Sequence, residues 1–270
     1  MLVNISQSHP IFLDCRYLQD IVPFQLMECI KQNPLLLVSD ETDFILGMAS
    51  PEAPVWIWTA ADLSAESAAL LTDYFYETFQ NSTSFRFVAR PEIADMLVQP
   101  LRKHKTFCET RIHMESYENK HPIFPKNVSF SIETASSGDV NQIAECMAAF
   151  EFACHGKAVL PADCVENAKK FVQNSCVFII KDGETVAAMA RTTRETETHV
   201  SISGVYTRPN YRGSGLATAL AAQLSRDIIS RKKAPILYAD LSNPCSNRAY
   251  LKAGFTPRGK VDEVTLFQNK

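Results

Sequence analysis

Long apolar runs, paired cysteine motifs and a strong net charge are all missing from this sequence of 270 residues. No stretch approaches the roughly 20 consecutive apolar residues that a membrane-spanning helix needs. Residues 1–10 lack a basic region followed by an apolar run, so they do not resemble a secretory signal peptide. The formal net charge of −3 gives no strong attraction to nucleic acid or to an anionic membrane. These absences favour a soluble protein with neither kind of partner.

The eight cysteines are scattered, and no two have the C-x-x-C spacing of a zinc knuckle or a dithiol redox motif. Most have apolar neighbours, as Cys176 does ahead of Val177 and Phe178. Reduced and buried thiols are therefore expected. This cysteine usage favours a cytoplasmic location and predicts no metal site.

With 46% apolar and 21% charged residues, the chain can bury the core of one large or two modest domains. In the first half, apolar periodicity predicts helices over 21–31, 64–79 and 92–103. Short runs of β-branched and aromatic residues predict strands over 35–38, 44–48, 55–59, 85–89 and 107–115.

A polar stretch at 117–127 contains two prolines and predicts a linker, with a boundary near residue 125. The predicted domains are thus 1–125 and 126–270. In the second domain the patterns predict the order β-α-α-β-β-β-α-β-α-β. The strands are expected over 128–134, 176–181, 185–192, 199–207, 236–241 and 261–267, and the helices over 161–172, 215–230, 244–253 and a stretch opening at 137.

The loop between the strand over 199–207 and the helix from 215 has the features of an anion site. The first amides of a helix have no internal acceptor, and its N-terminal end is positive. Gly213 and Gly215 allow positive φ and a close approach of ligand to backbone, while Arg212 can add charge or brace the loop. The alternative is a plain strand-to-helix turn, because the loop fits neither the P-loop nor the Gly-x-Gly-x-x-Gly pattern.

Two motifs make this segment specific. Arg212-x-x-Gly215-x-Ala217 resembles the Arg/Gln-x-x-Gly-x-Gly/Ala signature of the GCN5-related N-acetyltransferases (GNAT). The segment from Asn243 to Phe255 resembles the family's second landmark, Asn-x-x-Ser/Ala-x-x-x-Tyr-x-x-x-Gly-Phe. The resemblance covers residues 128–270. It implies an α/β acyl-CoA N-acyltransferase fold with a mixed sheet, a catalytic C-terminal domain, acetyl-CoA as co-substrate and no metal.

By this resemblance, the strands over 199–207 and 236–241 splay apart and the pantetheine arm fills the gap like an extra strand. The implied acetyl-CoA contacts lie on the strand end, the loop, the helix start and the second motif: Val205, Tyr206, Thr207, Arg212, Gly213, Ser214, Gly215, Leu216, Ala217, Thr218, Asn243 and Ser246. Helix capping is the alternative role for Asn243, Gly254 and Phe255.

The resemblance also implies catalytic residues. Tyr250 is expected to protonate the departing CoA thiolate; the alternative is a core tyrosine with one hydrogen bond. His199 stands thirteen residues before Arg212, where some family members carry a glutamate base. Glu197 and Glu151 are weaker candidates, and water can relay the proton.

Acceptor contacts are expected between the first two helices of the second domain, where Glu151 suits a cationic amine and His155 and Lys157 lie nearby.

Residues 1–125 resemble a degenerate acetyltransferase module, as in tandem members such as the glycine-N-acyltransferase-like (FR47-like) branch. The predicted function is transfer of an acetyl group from acetyl-CoA to a primary amine of a small molecule by direct attack. A longer-chain or amino-acid N-acyltransferase and a non-catalytic acyl-CoA-binding module are the alternatives. Acetyl-CoA and a small amine are the expected partners, and homodimer formation stays open.

Overall fold

The computed structural model describes residues 1–80, 82–102, 107–126 and 131–268. The strands are β1 Val3–Asn4, β2 Leu36–Ser39, β3 Phe44–Met48, β4 Val55–Thr59, β5 Ser84–Ala89, β6 Phe107–Glu118, β7 Ile132–Thr134, β8 Val177–Asp182, β9 Thr185–Glu195, β10 His199–Thr207, β11 Ala234–Asp240 and β12 Thr256–Gln268. The α-helices are α1 Cys15–Gln19, α2 Gln25–Ile30, α3 Ala65–Gln80, α4 Pro91–Arg102, α5 Val140–His155, α6 Pro161–Gln173, α7 Leu216–Ser230 and α8 Pro244–Lys252.

The chain forms two compact units. The first consists of residues 1–117, 239–242 and 257–270, and the second of residues 118–238 and 243–256. These units are defined by internal contacts, and the division into domains at 1–125 and 126–270 stays a prediction.

The first unit contains a sheet in the order β1-β2-β3-β4-β5-β12-β6. β4 and β5 pair in parallel, whereas β1–β2, β2–β3, β3–β4 and β5–β12 are antiparallel. Alternate strand residues and one face of α3 and α4 bury a core that includes Phe44, Ile57, Leu71, Phe75, Phe87 and Leu97.

The helix predicted over 21–31 is wrong in extent. Only α2 lies within this range, α1 ends before it at Gln19, and the turn between the two helices contains Pro23. Proline has no N–H to donate and its ring crowds the preceding turn, which breaks a continuous helix. The other predicted elements of this half end within three residues of the observed bounds; residue 103 of the third predicted helix lies outside the described residues.

The second unit has the strand order β11-β10-β9-β8-β7. Its elements follow the predicted order as far as α8, whereas the last predicted strand, β12, belongs to the first unit from Pro257 onward. β7, β8, β9 and β10 pair antiparallel, and β10 pairs with β11 in parallel. The mixed α/β sheet is therefore confirmed. The apolar stripes of α5 and α6 cover one sheet face with a core that includes Ile143, Ala144, Ala168, Val177, Ile179, Met189 and Tyr206. Residues 128–130 of the first predicted strand lie outside the described residues.

Residues 118–126 of the predicted linker belong to the second unit, and residue 127 lies outside the described residues. The side chain of Asn119 is completely buried, and its Nδ2 donates to the carbonyl of Ala253 at 2.8 Å and lies 3.3 Å from Ser225 Oγ. The backbone N–H of Asn119 donates to Pro235 at 3.0 Å, and that of Ile123 donates to Ala253 at 2.9 Å. Asn119 is thus buried with its polar groups satisfied, whereas residues 120–126 are exposed or half-buried, and the linker over 117–127 stays a prediction.

The eight cysteines form no disulfide within the described residues. Cys146 and Cys164 are buried, but Cys15, Cys108, Cys154 and Cys245 are exposed, so the expectation of buried thiols is wrong for these four. No helix in the described ranges combines the length and apolarity that a bilayer crossing requires.

The start of α5 is fixed by Asp139, which is buried. Its Oδ2 accepts from the backbone and hydroxyl of Ser136, each at 2.8 Å, and its Oδ1 lies 2.8 Å from Lys181 Nζ. Burial alone would raise the pKa of Asp139, but the bonds from Lys181 and Ser136 outweigh it and the pKa falls below the usual 3.8.

We expect Asp139→Asn to lower the free energy of unfolding by about 1–2 kcal/mol at neutral pH, because the ion pair with Lys181 is lost and the bonds from Ser136 lose their charged acceptor. The folded-state pKa is depressed, so the carboxylate's contribution is present above pH 3.8 and is lost as pH falls through the folded value. Urea unfolding at pH 7 and near pH 3 measures this. A difference between variant and wild type that did not shrink in acid would contradict the electrostatic origin.

Candidate active site

The strands β10 and β11 separate after a short paired stretch. Their register runs from His199 opposite Ala234 to Ser201 opposite Ile236, and β10 then continues to Thr207. This is the splay that the sequence resemblance implies. Backbone groups of β10 beyond Ser201 consequently have an edge on the β11 side that an extended ligand can pair with.

A bulge interrupts β10 in the splayed part. Ser203 pairs with Arg191 and Tyr206 with Met189, so β10 has one residue more than β9 between these pairs. Gly204 takes a φ of +59°, and a Cβ there would lie 3.1 Å from Arg191 Nε. The bulge therefore needs glycine, and it reorients the backbone just before Val205.

The loop after β10 leads into the N-terminus of α7. Gly213 and Gly215 have φ values of +81° and +84°. The first backbone bond of the helix runs from Ala219 to Gly215 at 3.0 Å. By α-helical geometry, three amides at this end have no intrahelical acceptor and point along the positive end of the helix dipole: those of Leu216, Ala217 and Thr218.

Side chains of the loop brace it more than they reach outward. Arg212 is exposed, donates from Nε to the carbonyl of Thr207 at 3.2 Å and lies 5.9 Å from the ring of Tyr206. The hydroxyl of Ser214 donates to the carbonyl of Tyr211. Thr207 Oγ1 is buried and has no hydrogen-bond partner among the described residues.

Leu216 and Thr218 offer a ligand only their backbone. Leu216 is buried, and the buried hydroxyl of Thr218 donates to the carbonyl of Ala249 in α8 at 3.3 Å. Their side chains join α7 to its surroundings and hold the amide cluster in place.

The second motif forms α8 and caps both of its ends. Asn243 is the N-cap: its side chain accepts from the amide of Ser246 at 3.1 Å, and its carbonyl accepts from Asn247 Nδ2 at 2.7 Å. Pro244 occupies the first helical position, where a missing N–H costs nothing. The capping role of Asn243 is thus observed, and contact with pantetheine stays a prediction for Asn243 and Ser246.

Tyr250 lies on the buried side of α8 and is only 8% exposed. Its ring packs edge-on against Phe255, with centroids 6.0 Å apart. Burial raises the pKa of Tyr250, and the charge of the neighbouring Cys154 thiolate would raise it further. The hydroxyl therefore stays protonated at neutral pH, which is the state that a proton donor needs.

Gly254 ends α8 in a Schellman motif. Its N–H donates to Leu251 at 3.1 Å, and the N–H of Phe255 donates to Tyr250 at 3.1 Å. Gly254 has a φ of +95°, and a Cβ at this position would clash with the carbonyl oxygen of His121. The glycine of the motif is thus required both by backbone conformation and by the close approach of the connecting segment.

His199 lies at the paired end of β10. It is buried, and its Nδ1 lies 2.7 Å from Thr198 Oγ1. Val205 lies six positions further along the chain, which is roughly 20 Å along a strand. Its role as general base stays a prediction, as do those of Glu197, which is exposed, and Glu151, which is half-buried.

Two arginines that the sequence patterns did not single out help build the site. Arg208 donates to the carbonyl of Val186 at 2.8 Å and pairs with Glu145 at 2.7 Å, which anchors the start of the loop. Both residues line a cavity of about 470 Å³ beside the loop. Arg191 lies under the bulge, as described above. Neither has a sequence signal, because their positions depend on strand register.

No cluster of three or more metal-binding side chains is present among the described residues.

Comparison with known proteins agrees with this geometry. Residues 179–264 match the family model described as FR47-like protein. A GCN5-related N-acetyltransferase from Kribbella flavida is 14% identical with a TM-score of 0.60, over 95% of this chain and 97% of that one. A Drosophila protein is 14% identical with a TM-score of 0.65, over 100% and 99%. A GNAT-family acetyltransferase from Colwellia psychrerythraea is 11% identical with a TM-score of 0.57, over 100% of both chains. No curated protein sequence matches significantly.

The chain accordingly has the acyltransferase fold of the GNAT superfamily. Its residues 179–264 resemble the FR47-like family. The resemblance stated from the two sequence motifs is confirmed, and the end-to-end coverage agrees with a tandem layout. Structural similarity at identities this low establishes the fold alone, and evidence for the reaction comes from the residues of the site.

Proposed function

We propose that the protein is an acyl-CoA-dependent N-acetyltransferase that modifies a primary amine of a small molecule. The observation that carries this proposal is the splay of β10 from β11 immediately before the amide cluster of α7. An acyl-CoA has an extended pantetheine arm and a diphosphate. The open edge of β10 can pair with the arm, and the amide cluster of α7 can bind the diphosphate.

The residues present fit such a ligand. The amides of Leu216, Ala217 and Thr218 would hold the diphosphate, with the φ-positive Gly213 and Gly215 keeping side chains out of its path. The edge of β10 at Val205–Thr207 would bind the arm, and the unpartnered hydroxyl of Thr207 would gain a polar neighbour.

Bound acetyl-CoA would supply the acyl group and a thiol leaving group for direct attack by an uncharged amine. Tyr250 is the proposed proton donor to the leaving sulfur, because its hydroxyl is protonated and it belongs to α8, whose Ala249 carbonyl accepts a bond from Thr218 of α7. Backbone N–H groups at the bulge would stabilise negative charge on the thioester oxygen. Holding both reactants at this point supplies much of the rate.

The first test is calorimetric titration of the protein with acetyl-CoA. We expect micromolar affinity for the wild type and at least a tenfold loss (about 1.4 kcal/mol) for Arg212→Ala. That variant removes a positive charge and the brace between the loop and Thr207.

Arg231→Ala is the matched control, because Arg231 is also exposed and follows the last residue of α7, about 22 Å from its N-terminus. It should bind acetyl-CoA within twofold of the wild type. If the folded wild type binds no acetyl-CoA, the loop is only a turn and the proposed function is wrong. Binding without transfer to any amine of a broad panel would favour a non-catalytic acyl-CoA-binding module.

A further inference from the structure

Arg191 has an unusual environment for a partly buried arginine. Its guanidinium stacks on the ring of Phe171 from α6, 4.4 Å from the centroid. Within the described residues it makes neither a hydrogen bond nor an ion pair. By contrast, Arg208 in the same unit is bound to Glu145 at 2.7 Å. Stacking fixes the guanidinium plane and leaves its in-plane N–H groups available to a planar anion.

Ser203 supplies a second unused donor beside it. Ser203 lies directly opposite Arg191 in the β9–β10 pair, and opposed residues of an antiparallel pair share a face of the sheet. The Oγ of Ser203 is buried and has no hydrogen-bond partner among the described residues. A buried hydroxyl without a partner is costly, so this group points to a ligand.

The pair lies at the reactive end of the proposed acyl-CoA path. The atoms of Arg191 from Cγ to Nε pack against Gly204, whose Cβ would lie only 3.1–3.5 Å from them. With the diphosphate on the α7 amides, the arm runs from Thr207 back toward the bulge. Its acyl end and the attacking amine therefore meet near Gly204.

The charged groups near Arg191 do not bond to its guanidinium. Burial lowers the pKa of Arg191, as does Arg194, yet a guanidinium remains ionised at neutral pH. Glu151 and Cys176 favour its charge from a distance, and neither is hydrogen-bonded to it. A ligand anion would thus meet one cation whose charge is only partly offset by Glu151.

We propose that Arg191 and Ser203 form a carboxylate-binding subsite for one of the two reactants. This inference rests on the proposed acyltransferase function and adds to it the chemistry of the substrate. The carboxylate belongs either to the amine acceptor or to the far end of a dicarboxylic acyl group, and the two sources have the same requirement for a planar bidentate donor.

The test uses full-length protein in a calorimeter with pairs of ligands that differ in one charge. For the acceptor side, protein saturated with CoA is titrated with N-acetylalanine and with N-acetylalaninamide. For the acyl side, free protein is titrated with succinyl-CoA and with butyryl-CoA. Acetyl-CoA is titrated in parallel as the reference for cofactor binding.

Wild-type protein is expected to bind the carboxylate-bearing ligand at least tenfold more tightly in one of the two ligand pairs. That pair shows whether the carboxylate belongs to the acceptor or to the acyl group. Arg191→Gln should reduce the preference to within twofold, and titration of the same variant with acetyl-CoA serves as the reference for a folded protein. Arg194→Gln is the matched control, since Arg194 is an exposed arginine on the same strand, and it should keep the preference.

Ser203→Ala removes one oxygen and should weaken the preference about fivefold, so it tests the subsite even if Arg191→Gln fails to fold. Equal binding of both members in both arms by a wild type that binds acetyl-CoA would overturn the subsite and leave the proposed function intact. Equal losses in Arg191→Gln and Arg194→Gln would also overturn it, because a general charge effect would then suffice. Failure of the folded wild type to bind acetyl-CoA would remove both proposals.

Discussion

Tyr250→Phe is expected to lower kcat for acetyl transfer about 100-fold and to leave the affinity for acetyl-CoA within twofold of the wild type. The change removes one oxygen and keeps the ring that packs against Phe255 at a centroid distance of 6.0 Å. The fold and the binding loop should therefore survive, and only the proton for the leaving thiolate is lost. Release of CoA thiol in the presence of a reactive amine measures the rate, and calorimetry measures the affinity.

The pH profile adds a second readout. Burial raises the pKa of Tyr250, so its hydroxyl is protonated throughout the neutral range. Any loss of rate on the acidic side must then come from another group, such as the amine of the acceptor. Tyr250→Phe should lower the whole profile without moving its acidic limb.

Tyr76→Phe is the matched control, because Tyr76 is a partly buried tyrosine of the first unit whose hydroxyl donates to the carbonyl of Leu97 at 3.2 Å. It should keep the wild-type rate. A Tyr250→Phe enzyme that reacts as fast as the wild type would remove the acid assignment and leave Tyr250 as a core residue with a satisfied hydroxyl.

Local signals were enough to predict the frame of the second unit. Apolar alternation bounded by polar residues and by Pro209 predicts the strand His199–Thr207 to the residue. Asn243 followed by Pro244 marked the start of α8, since both residue types stabilise a first helical turn. Signals of this kind depend on a few neighbouring residues, so they do not require knowledge of the tertiary contacts.

Contacts that depend on strand register cannot be predicted from the sequence alone. Arg191 reads as one polar residue near the end of a strand, and only its pairing with Ser203 brings it to the bulge at Gly204. A shift of one residue would place its side chain on the other face of the sheet. The same applies to β12, which ends the chain yet lies beside β5 of the first unit.

The segment from Glu118 to Lys126 shows a second kind of limit. Its prolines and polar side chains have the composition of a spacer. Composition does not show which carbonyl and hydroxyl groups elsewhere in the fold form hydrogen bonds with the segment. Asn119 satisfies two such groups from within the second unit. The backbone of His121, next along the segment, then sits against Gly254.

This close approach leads to the largest expected loss of stability. Gly254→Ala should lower the free energy of unfolding by about 3 kcal/mol or more, whereas Gly156→Ala should cost about 1 kcal/mol. Both glycines have positive φ, +95° and +64°, so both substitutions strain the backbone. At Gly156 a Cβ would meet nothing within 4 Å, but at Gly254 it would clash with a backbone carbonyl that no rotamer change can move.

Urea unfolding with an unchanged m-value measures the two differences. Because the clash would push α8 away from the connecting segment, Gly254→Ala should also weaken acetyl-CoA binding, and Gly156→Ala should not. Equal costs for the two variants would mean that residues 118–126 yield freely and act as the spacer that their composition suggests. A cost at least twice as large at Gly254 would show that the glycine of the second motif serves the packing of this segment as well as the end of the helix.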